Sequence, residues 1–256
     1  MRVNGRIRRD GMTLVEVLTA TAVVALLIGL LVPGLSSARE AARSAVCASN
    51  LRQMSLAATA YAMEGEERYP LAQWFEIGEG GSVSTAWDFT TEVVWGEGMT
   101  VKPGLLWGYL DDGAAEGALG VQQCPSFDGA ANWLADPHTG YNYNTSYIGR
   151  GRGETQETPA RLAEVGSPSA TALFGDGGWA GGANKFMRSP IASAFDAGFS
   201  NSSRYAGTQA YRHSGGTMVA WCDGAVVRRV ERWDEMAQVV DGTGFLGEEN
   251  ELYDLD

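Results

Sequence analysis

The chain has 256 residues and a formal net charge of -12, with 31 acidic side chains against 19 Lys and Arg. An exterior of this sign repels the phosphate backbone, which argues against nucleic acid as a partner. The length allows one globular domain in addition to an N-terminal helix, and three cysteines are too few for a disulfide scaffold.

The N-terminal segment combines a basic start with a long apolar run. Four arginines precede Gly11, and residues 17–32 carry no charge. A helix over residues 12–35 would be about 36 Å long, which is enough to cross the hydrocarbon core of a bilayer. Because the arginines lie on one side only, the start is predicted to stay in the cytoplasm while the rest is exported. A carboxylate near the start of a membrane helix, here Glu16, predicts a functional role and a partner.

Gly11, Met12 and Glu16 together resemble the prepilin-type cleavage and methylation motif of type IV pilins and type II secretion pseudopilins. The resemblance implies that a membrane-embedded prepilin peptidase cuts after Gly11 and methylates Met12. It also implies that Glu16 meets the N-terminal amine of a neighbouring subunit during assembly, and that Pro33 marks the usual kink of the first helix. Members of that family usually have Phe after the cut, and Met12 keeps the apolar character of the position.

Three other export signals share parts of this pattern. A secretory signal peptide also has a basic start and an apolar core, and residues 36–38 fit its small-residue cut site. Arg8-Arg9 fits a twin-arginine signal, and an uncleaved signal anchor needs only the apolar run. None of these signals gives a reason for Glu16, so the prepilin interpretation is favoured.

Residues 36–62 are predicted to continue the helix as an amphipathic half that ends before Gly65. One apolar stripe follows the helical spacing, with members Cys47, Leu51, Met54, Ala58 and Tyr61. The opposite side is small or apolar where a solvated helix would carry Lys and Glu. We therefore predict that this half packs on its own domain with one face and on neighbouring subunits with the other. The alternative is a helix more fully buried in its own domain.

The middle of the chain carries weaker signals. Residues 90–95, 121–125, 141–149 and 170–174 are predicted as strands, and residues 105–110 as a helical turn. The scattered tryptophans before residue 120 are interpreted as core and loop anchors, with a sugar-binding surface as the alternative.

The strongest signal of the outer domain lies near its end. Two β-rich runs, 217–222 and 225–230, flank Asp223-Gly224, which predicts a hairpin with a two-residue turn. His213 precedes Asp223 with nine residues between them. This H-X9-DG pattern resembles the C-terminal domain of large prepilin-like, DUF1559-like proteins of planctomycete-type bacteria. The turn at Phe174-Gly175-Asp176-Gly177 also fits that group, and the resemblance implies an architecture more than an activity.

His213 and Asp223 allow two interpretations. They could form a metal or catalytic pair, but we favour a structural role in which His213 fixes the chain by a hydrogen bond and Asp223-Gly224 make the turn. With His138 as the other histidine, a His-rich zinc site is not expected, and no serine hydrolase motif is present. We therefore expect no catalytic residue, no metal and no cofactor.

The cysteines leave the disulfide pattern open. In an oxidising periplasm one pair can form a bridge, and the sequence alone allows three pairings among Cys47, Cys124 and Cys222. The pair Cys47 and Cys124 is taken as the candidate disulfide.

These observations predict an α+β, pilin-like fold with a long N-terminal helix packed on an antiparallel β-sheet with loop-rich insertions. The predicted parts are a cytoplasmic leader 1–11 that is removed, a transmembrane half 12–35, the amphipathic half 36–62, and an extracytoplasmic domain 63–256 that contains the H-X9-DG hairpin at 213–230.

The resemblance implies a structural pilin or pseudopilin subunit rather than an enzyme. It would begin as a single-pass inner-membrane protein with its C-terminal domain in the periplasm and end in a filament. Its partners would be prepilin peptidase, other subunits, the inner-membrane assembly platform and the membrane. The alternative is a membrane-tethered surface binding protein that uses the prepilin helix as export signal and anchor.

Overall fold

The computed structural model describes residues 12–110, 120–131, 140–180, 182–196, 201–236 and 238–256. The predicted leader, with Gly11, and His138 lie outside the described residues. The chain divides into two compact units, Met1–Ala42 and Arg43–Asp256, and the long N-terminal helix contributes to both.

Helix α1 spans Leu14–Glu64 and contains 51 residues, with Pro33 in its interior. Proline removes one backbone donor from a helix, but the helix continues on both sides of Pro33. Gly65 follows its end, and the Gly65 amide donates to the Tyr61 carbonyl at 3.0 Å. By length and composition, α1 is apolar enough to cross a membrane, and its most apolar window has no buried residue.

The start of α1 carries a reciprocal cap. The Thr13 backbone amide and hydroxyl both donate to Glu16 Oε2 at 2.8 Å, and the Glu16 amide donates to the Thr13 hydroxyl oxygen at 3.3 Å. This Thr-x-x-Glu arrangement is a capping box, in which the side chain of each residue accepts a hydrogen bond from the otherwise unpaired backbone amide of the other.

The predicted apolar stripe is confirmed in the C-terminal half of α1. Cys47, Leu51, Met54 and Ala58 are fully buried, and Tyr61 packs against the same core. The opposite face, which includes Leu56, is exposed in the part of the chain that the structure describes. One face of this half therefore belongs to the domain core while the other faces outward.

The second unit contains two larger sheets. The antiparallel meander has the order β1-β2-β3-β4, with strands Gln73–Gly78, Gly81–Ala86, Phe89–Val94 and Gly98–Pro103. Five strands form the central sheet: β6 Tyr141–Asn144, β7 Ala172–Asp176, β9 Phe186–Met187, β11 Thr217–Trp221 and β12 Val226–Arg229. Its order is β12-β11-β7-β6-β9, and every pair is antiparallel except β6 with β9.

Short elements complete the domain. Two small two-stranded pairings join β5 Ala130–Ala131 to β8 Gly182–Ala183, and β10 Gln209–Ala210 to β13 Thr243–Gly244. The 3-10 helices cover Trp107–Tyr109, Gly120–Gln122, Leu162–Glu164 and Asn201–Gly207, and one π-helical turn covers Thr145–Gly149.

The central sheet is the support on which α1 packs. Every residue of β6, β7 and β11 is buried, and the stripe of α1 shares one core cluster with Tyr143 and Phe174. These two rings stack with centroids 4.8 Å apart, and Trp87 packs on both. The α+β arrangement of a long helix on antiparallel sheets is confirmed.

Several predicted elements are confirmed and others are wrong. The 217–230 hairpin, the strand at 90–95 and the turn at 105–110 are present. The strand predicted at 121–125 is wrong, because the chain forms a 3-10 helix there. The strand at 141–149 is half right, since it becomes a π-helical turn after Asn144.

A buried ion network holds one side of the domain together. Asp196 Oδ1 accepts from Arg188 Nη1 at 2.6 Å, and Asp196 Oδ2 accepts from Arg204 Nη1 at 2.9 Å. Burial by itself raises the pKa of Asp196, but the two guanidinium groups and hydrogen bonds from Ser193 lower it below its ordinary value.

We predict that Asp196→Asn destabilises the fold by about 3–5 kcal/mol, because the buried guanidinium of Arg204 loses its counter-charge. A depressed pKa in the folded state stabilises the protein above the unfolded value of about 3.9, and this contribution disappears as the pH falls through the folded value. The stability difference from wild type should therefore be constant near neutrality and shrink below about pH 4.

The measurement is urea unfolding of the full chain in detergent, monitored by tryptophan fluorescence at several pH values. Asp223→Asn, at an exposed turn, is the matched control and should change stability by no more than about 0.5 kcal/mol. Equal unfolding midpoints for wild type and Asp196→Asn at neutral pH would contradict the prediction.

Candidate functional site

The residues predicted to act in processing and assembly lie at the start of α1. Met12 and Glu16 are exposed in the described structure, and Glu16 has a partner within its own chain through the capping box with Thr13. Pro33 lies inside α1. The structure thus gives Glu16 a local role in addition to the one predicted from the prepilin resemblance.

A second group of residues meets in the core of the domain. Cys47, Cys124, Asp176 and His213 are fully buried, and the four potential ligand atoms all lie within 4.8 Å of one another. Each comes from a different segment. Cys47 is on α1, Cys124 follows a 3-10 helix, Asp176 ends β7, and His213 precedes β11.

Each of the four side chains contacts at least one other member of the cluster. Cys47 Sγ lies 3.3 Å from Asp176 Oδ1, and His213 Nε2 lies 3.4 Å from Asp176 Oδ2. Cys124 Sγ lies 3.7 Å from His213 Nε2. Asp176 is therefore the residue that contacts both the helix cysteine and the histidine.

Local structure explains why Cys47 and Asp176 point inward. Cys47 belongs to the apolar stripe of α1, one turn before Leu51, so the packing of the helix on the sheet directs it into the core. Asp176 is the last residue of a fully buried strand, and its Oδ2 accepts from the Met218 backbone amide at 2.8 Å.

Hydrogen bonds also hold the other two segments in place. The Asn50 side-chain amide on α1 donates to the Gln123 carbonyl at 3.1 Å, which fixes the residue before Cys124. The His213 backbone amide donates to the Gly216 carbonyl at 2.9 Å, and Arg228 Nε donates to the His213 carbonyl at 2.9 Å.

The second ring nitrogen of His213 has its own partner. Ser44 lies on the turn of α1 that precedes Cys47, and its Oγ is 3.1 Å from His213 Nδ1. When Nδ1 carries the proton and donates to Ser44, the Nε2 lone pair faces Cys124 and Asp176. Tyr141, which is fully buried in the same core, completes the surroundings.

The electrostatics of the cluster differ from one side chain to the next. The hydrogen bond with Cys124 and then burial raise the pKa of Cys47. The hydrogen bond from Cys47 outweighs burial and, with that from His213, lowers the pKa of Cys124 to about 6. Burial lowers the pKa of His213, but hydrogen bonds to Asp176 and Cys124 outweigh it and raise that pKa to about 10. The cluster thus favours a thiolate on Cys124 beside a charged imidazole.

The structure separates the two ends of the H-X9-DG pattern. His213 joins the buried cluster, whereas Asp223 is exposed and its Oδ1 accepts from the Ala225 amide at 2.8 Å. Gly224 has φ +84° in the turn between β11 and β12, a conformation that favours glycine. Asp223 and Gly224 therefore shape the hairpin.

The cysteines fall into two environments. Cys47 and Cys124, the candidate disulfide pair, are brought together as free thiols, and Cys222 is a free thiol buried elsewhere in the core. Asp176 is the member of the cluster that sequence reasoning missed, because its Gly-Asp-Gly surroundings indicated a turn. Its position at the end of a predicted strand was the available signal.

Comparison with known proteins places most of the domain in one family. The model of the family described as protein of unknown function (DUF1559) matches residues 36–186, more than half of the chain. The match includes Cys47, Cys124 and Asp176 and ends before His213. No curated protein and no solved structure shows a significant match.

Proposed function

The chain belongs to the DUF1559 family, and from this premise we propose that it is a structural subunit of a type IV pilus or a type II secretion pseudopilus. The observation that carries the proposal is the N-terminal segment, where a basic leader, Gly11 and Glu16 precede an apolar helix long enough to span a membrane. The family match confirms the DUF1559-like resemblance over residues 36–186, and both the prepilin motif and the H-X9-DG pattern lie outside the matched residues.

The proposed life cycle begins in the inner membrane. The leader stays in the cytoplasm, α1 spans the bilayer once, and the domain lies in the periplasm. Prepilin peptidase removes the leader after Gly11 and methylates Met12, and the assembly platform then extracts the subunit into a filament. The proposal includes no enzymatic activity. It also includes no nucleic-acid partner, in keeping with the net charge of -12.

The exposed surfaces of α1 support the assembly step. Apolar side chains of its first half, such as Leu26 and Leu30, are 65% and 70% exposed, and they can contact lipid before assembly and sister helices afterwards. In the second half, Val46 and Leu56 are 50% and 56% exposed on the face that does not pack on the sheet. Exposed apolar side chains of this kind, in each half, suit helix packing between subunits.

Glu16 has two candidate partners, one before and one after assembly. In the single chain it caps the helix through Thr13. In the filament it would pair with the N-terminal amine of a neighbour, where the apolar surroundings strengthen the attraction and make either unpaired charge costly. The cap needs an acceptor oxygen, whereas the pairing needs a negative charge, so substitutions can separate the two roles.

We predict that Glu16→Ala and Glu16→Gln both abolish filament assembly while leaving cleavage largely intact. Gln retains the acceptor of the capping box and loses the charge, so its failure isolates the charge. Thr13→Ala is the matched control, because it removes the hydroxyl of the cap and keeps the charge of Glu16, and it should still assemble. The readout is the amount of protein in sheared filaments, with cleavage followed by gel mobility; wild-type yield from Glu16→Gln would refute the pairing role.

The mature N-terminus gives an independent prediction. Peptide mass spectrometry of the protein from cells should find a chain that begins at an N-methylated Met12, because no other export route accounts for that modification. Gly11→Ala serves as a comparison and should leave the leader attached. A mature chain that begins at Arg39, or that retains Met1, would contradict processing as a prepilin.

A tethered surface binding protein is the second candidate, and one feature of the meander favours it. The turns that join β1 to β2 and β3 to β4 lie at the same end of the sheet, where Ile77 and Trp95 are 63% and 59% exposed. Exposed apolar side chains at a loop tip suit contact with another molecule.

Cell fractionation separates the two candidates. We expect the protein in sheared filaments as well as in membranes, because a subunit leaves the bilayer on assembly. Trp95→Ser, at the exposed tip, should leave that distribution unchanged. Recovery from membranes alone, in cells that do make filaments, would favour the tethered binding protein.

A further inference from the structure

The cluster of Cys47, Cys124, Asp176 and His213 has the size and composition of a metal-binding site, and we propose that it binds one zinc ion. This inference is independent of the filament role, because all four residues belong to the unit from Arg43 onward. It gives the histidine of the H-X9-DG pattern a role as a ligand.

The spacing of the ligand atoms is that of a tetrahedral site. Zinc bonds of about 2.0 to 2.3 Å to nitrogen, oxygen and sulfur place neighbouring ligand atoms about 3.3 to 3.8 Å apart. Cys47 Sγ lies 3.3 Å from Asp176 Oδ1, and His213 Nε2 lies 3.4 Å from Asp176 Oδ2 and 3.7 Å from Cys124 Sγ. One ligand atom from each of the four side chains lies within 4.8 Å of the other three. Side-chain rotations that move the ligand atoms by about 1 Å would complete the tetrahedron.

The ligand types select zinc over the common hard cations. Magnesium and calcium take oxygen ligands in six-fold or higher coordination, whereas two thiolates, one imidazole and one carboxylate are typical ligands of tetrahedral zinc. Zinc takes both cysteines as thiolates and the histidine as neutral imidazole, so the displaced protons leave to solvent.

Contacts around the four ligands match those of a supported metal site. Ligating histidines ordinarily donate their other ring N–H to a neighbouring group, and Ser44 Oγ lies 3.1 Å from His213 Nδ1 for that purpose. Asp176 Oδ2 accepts from the Met218 amide at 2.8 Å, which fixes the carboxylate. These partners orient the donor atoms before any ion arrives.

The coordination also indicates a structural site. Four protein ligands fill a tetrahedron, and all four side chains are fully buried, so no position is left for a substrate. The ion would join α1, the segment after a 3-10 helix, β7 and the segment before β11. Because those segments are distant in the chain, metal binding would contribute directly to the folding of the domain.

A disulfide between Cys47 and Cys124 is the competing state. It would consume both thiolates and leave Asp176 and His213 without a metal, so the two states exclude each other. The exported protein therefore has to be examined without added reductant.

We expect about one zinc ion per chain in the full-length protein, exported, purified in detergent with a histidine-free tag and measured by elemental mass spectrometry. Cys47→Ser and Cys124→Ser should lose the zinc. Cys222→Ser is the matched control, because that thiol is also buried but lies outside the cluster, and it should keep the zinc.

A variant of Ser44 tests whether its hydrogen bond orients His213, because it leaves all four ligands in place. Ser44→Ala should lower the zinc affinity about 10- to 100-fold in competition with a chromophoric chelator, because His213 loses its orienting partner. Ser49→Ala, on the exposed face of the same helix, should leave the affinity unchanged. Equal affinities for Ser44→Ala and wild type would overturn the role of Ser44 and the proposed tautomer.

Cobalt substitution keeps the test decisive if the cysteine variants do not fold. Cobalt in the wild-type site should give thiolate charge-transfer bands and the visible bands of tetrahedral coordination. Absence of those bands, a Cys47–Cys124 disulfide in the exported chain, failure of the reduced chain to take up zinc, loss of zinc from Cys222→Ser, or a different resident metal would each overturn the proposal.

Discussion

The packing of one stripe of α1 on the central sheet is the interaction on which the rest of the domain depends. Leu51 and Met54 are fully buried there, and burial of such a side chain contributes about 1.5–3 kcal/mol. The same contact places Ser44 beside His213 and Cys47 beside Asp176 of β7, and it directs Leu56 outward. A single helix orientation therefore fixes the core, the buried polar cluster and the outward apolar face together.

Sequence reasoning predicted the elements that carry a local signal. The stripe from Cys47 to Tyr61 follows the helical period, and Asp223-Gly224 is a two-residue turn between β-rich runs, so both could be read without tertiary information. The meander was mostly missed because three of its strands are largely half-buried or exposed, with no clean alternation of apolar and polar residues. The prediction of a strand at 121–125 was wrong because an apolar start and a terminal Pro do not distinguish a strand from a 3-10 helix.

The buried cluster was predictable only in pieces. Cys47, Cys124 and His213 were each identified, but the Cys47–Asp176 contact spans 129 residues and the Cys124–His213 contact spans 89. Periodicity and turn chemistry report neighbours within a helix or a hairpin, so they cannot pair residues at these separations. The capping role of Glu16 was missed for a different reason. Thr13-x-x-Glu16 is a local pattern, but Glu16 was interpreted only as part of the prepilin motif.

The composition of the cluster bears on how the domain keeps two free thiols next to each other. A Cys47–Cys124 disulfide would link α1 to one loop and leave the carboxylate of Asp176 beside the imidazole in the core. A single ion bound by all four side chains would also join β7 and the segment before β11, and it would neutralise charge that burial otherwise makes costly. Because the domain surrounds the thiols completely, oxidants reach them poorly, which favours the thiolate ligands over the disulfide. The helix that assembly would pull from the membrane would then be tied to the domain through Ser44 and Cys47.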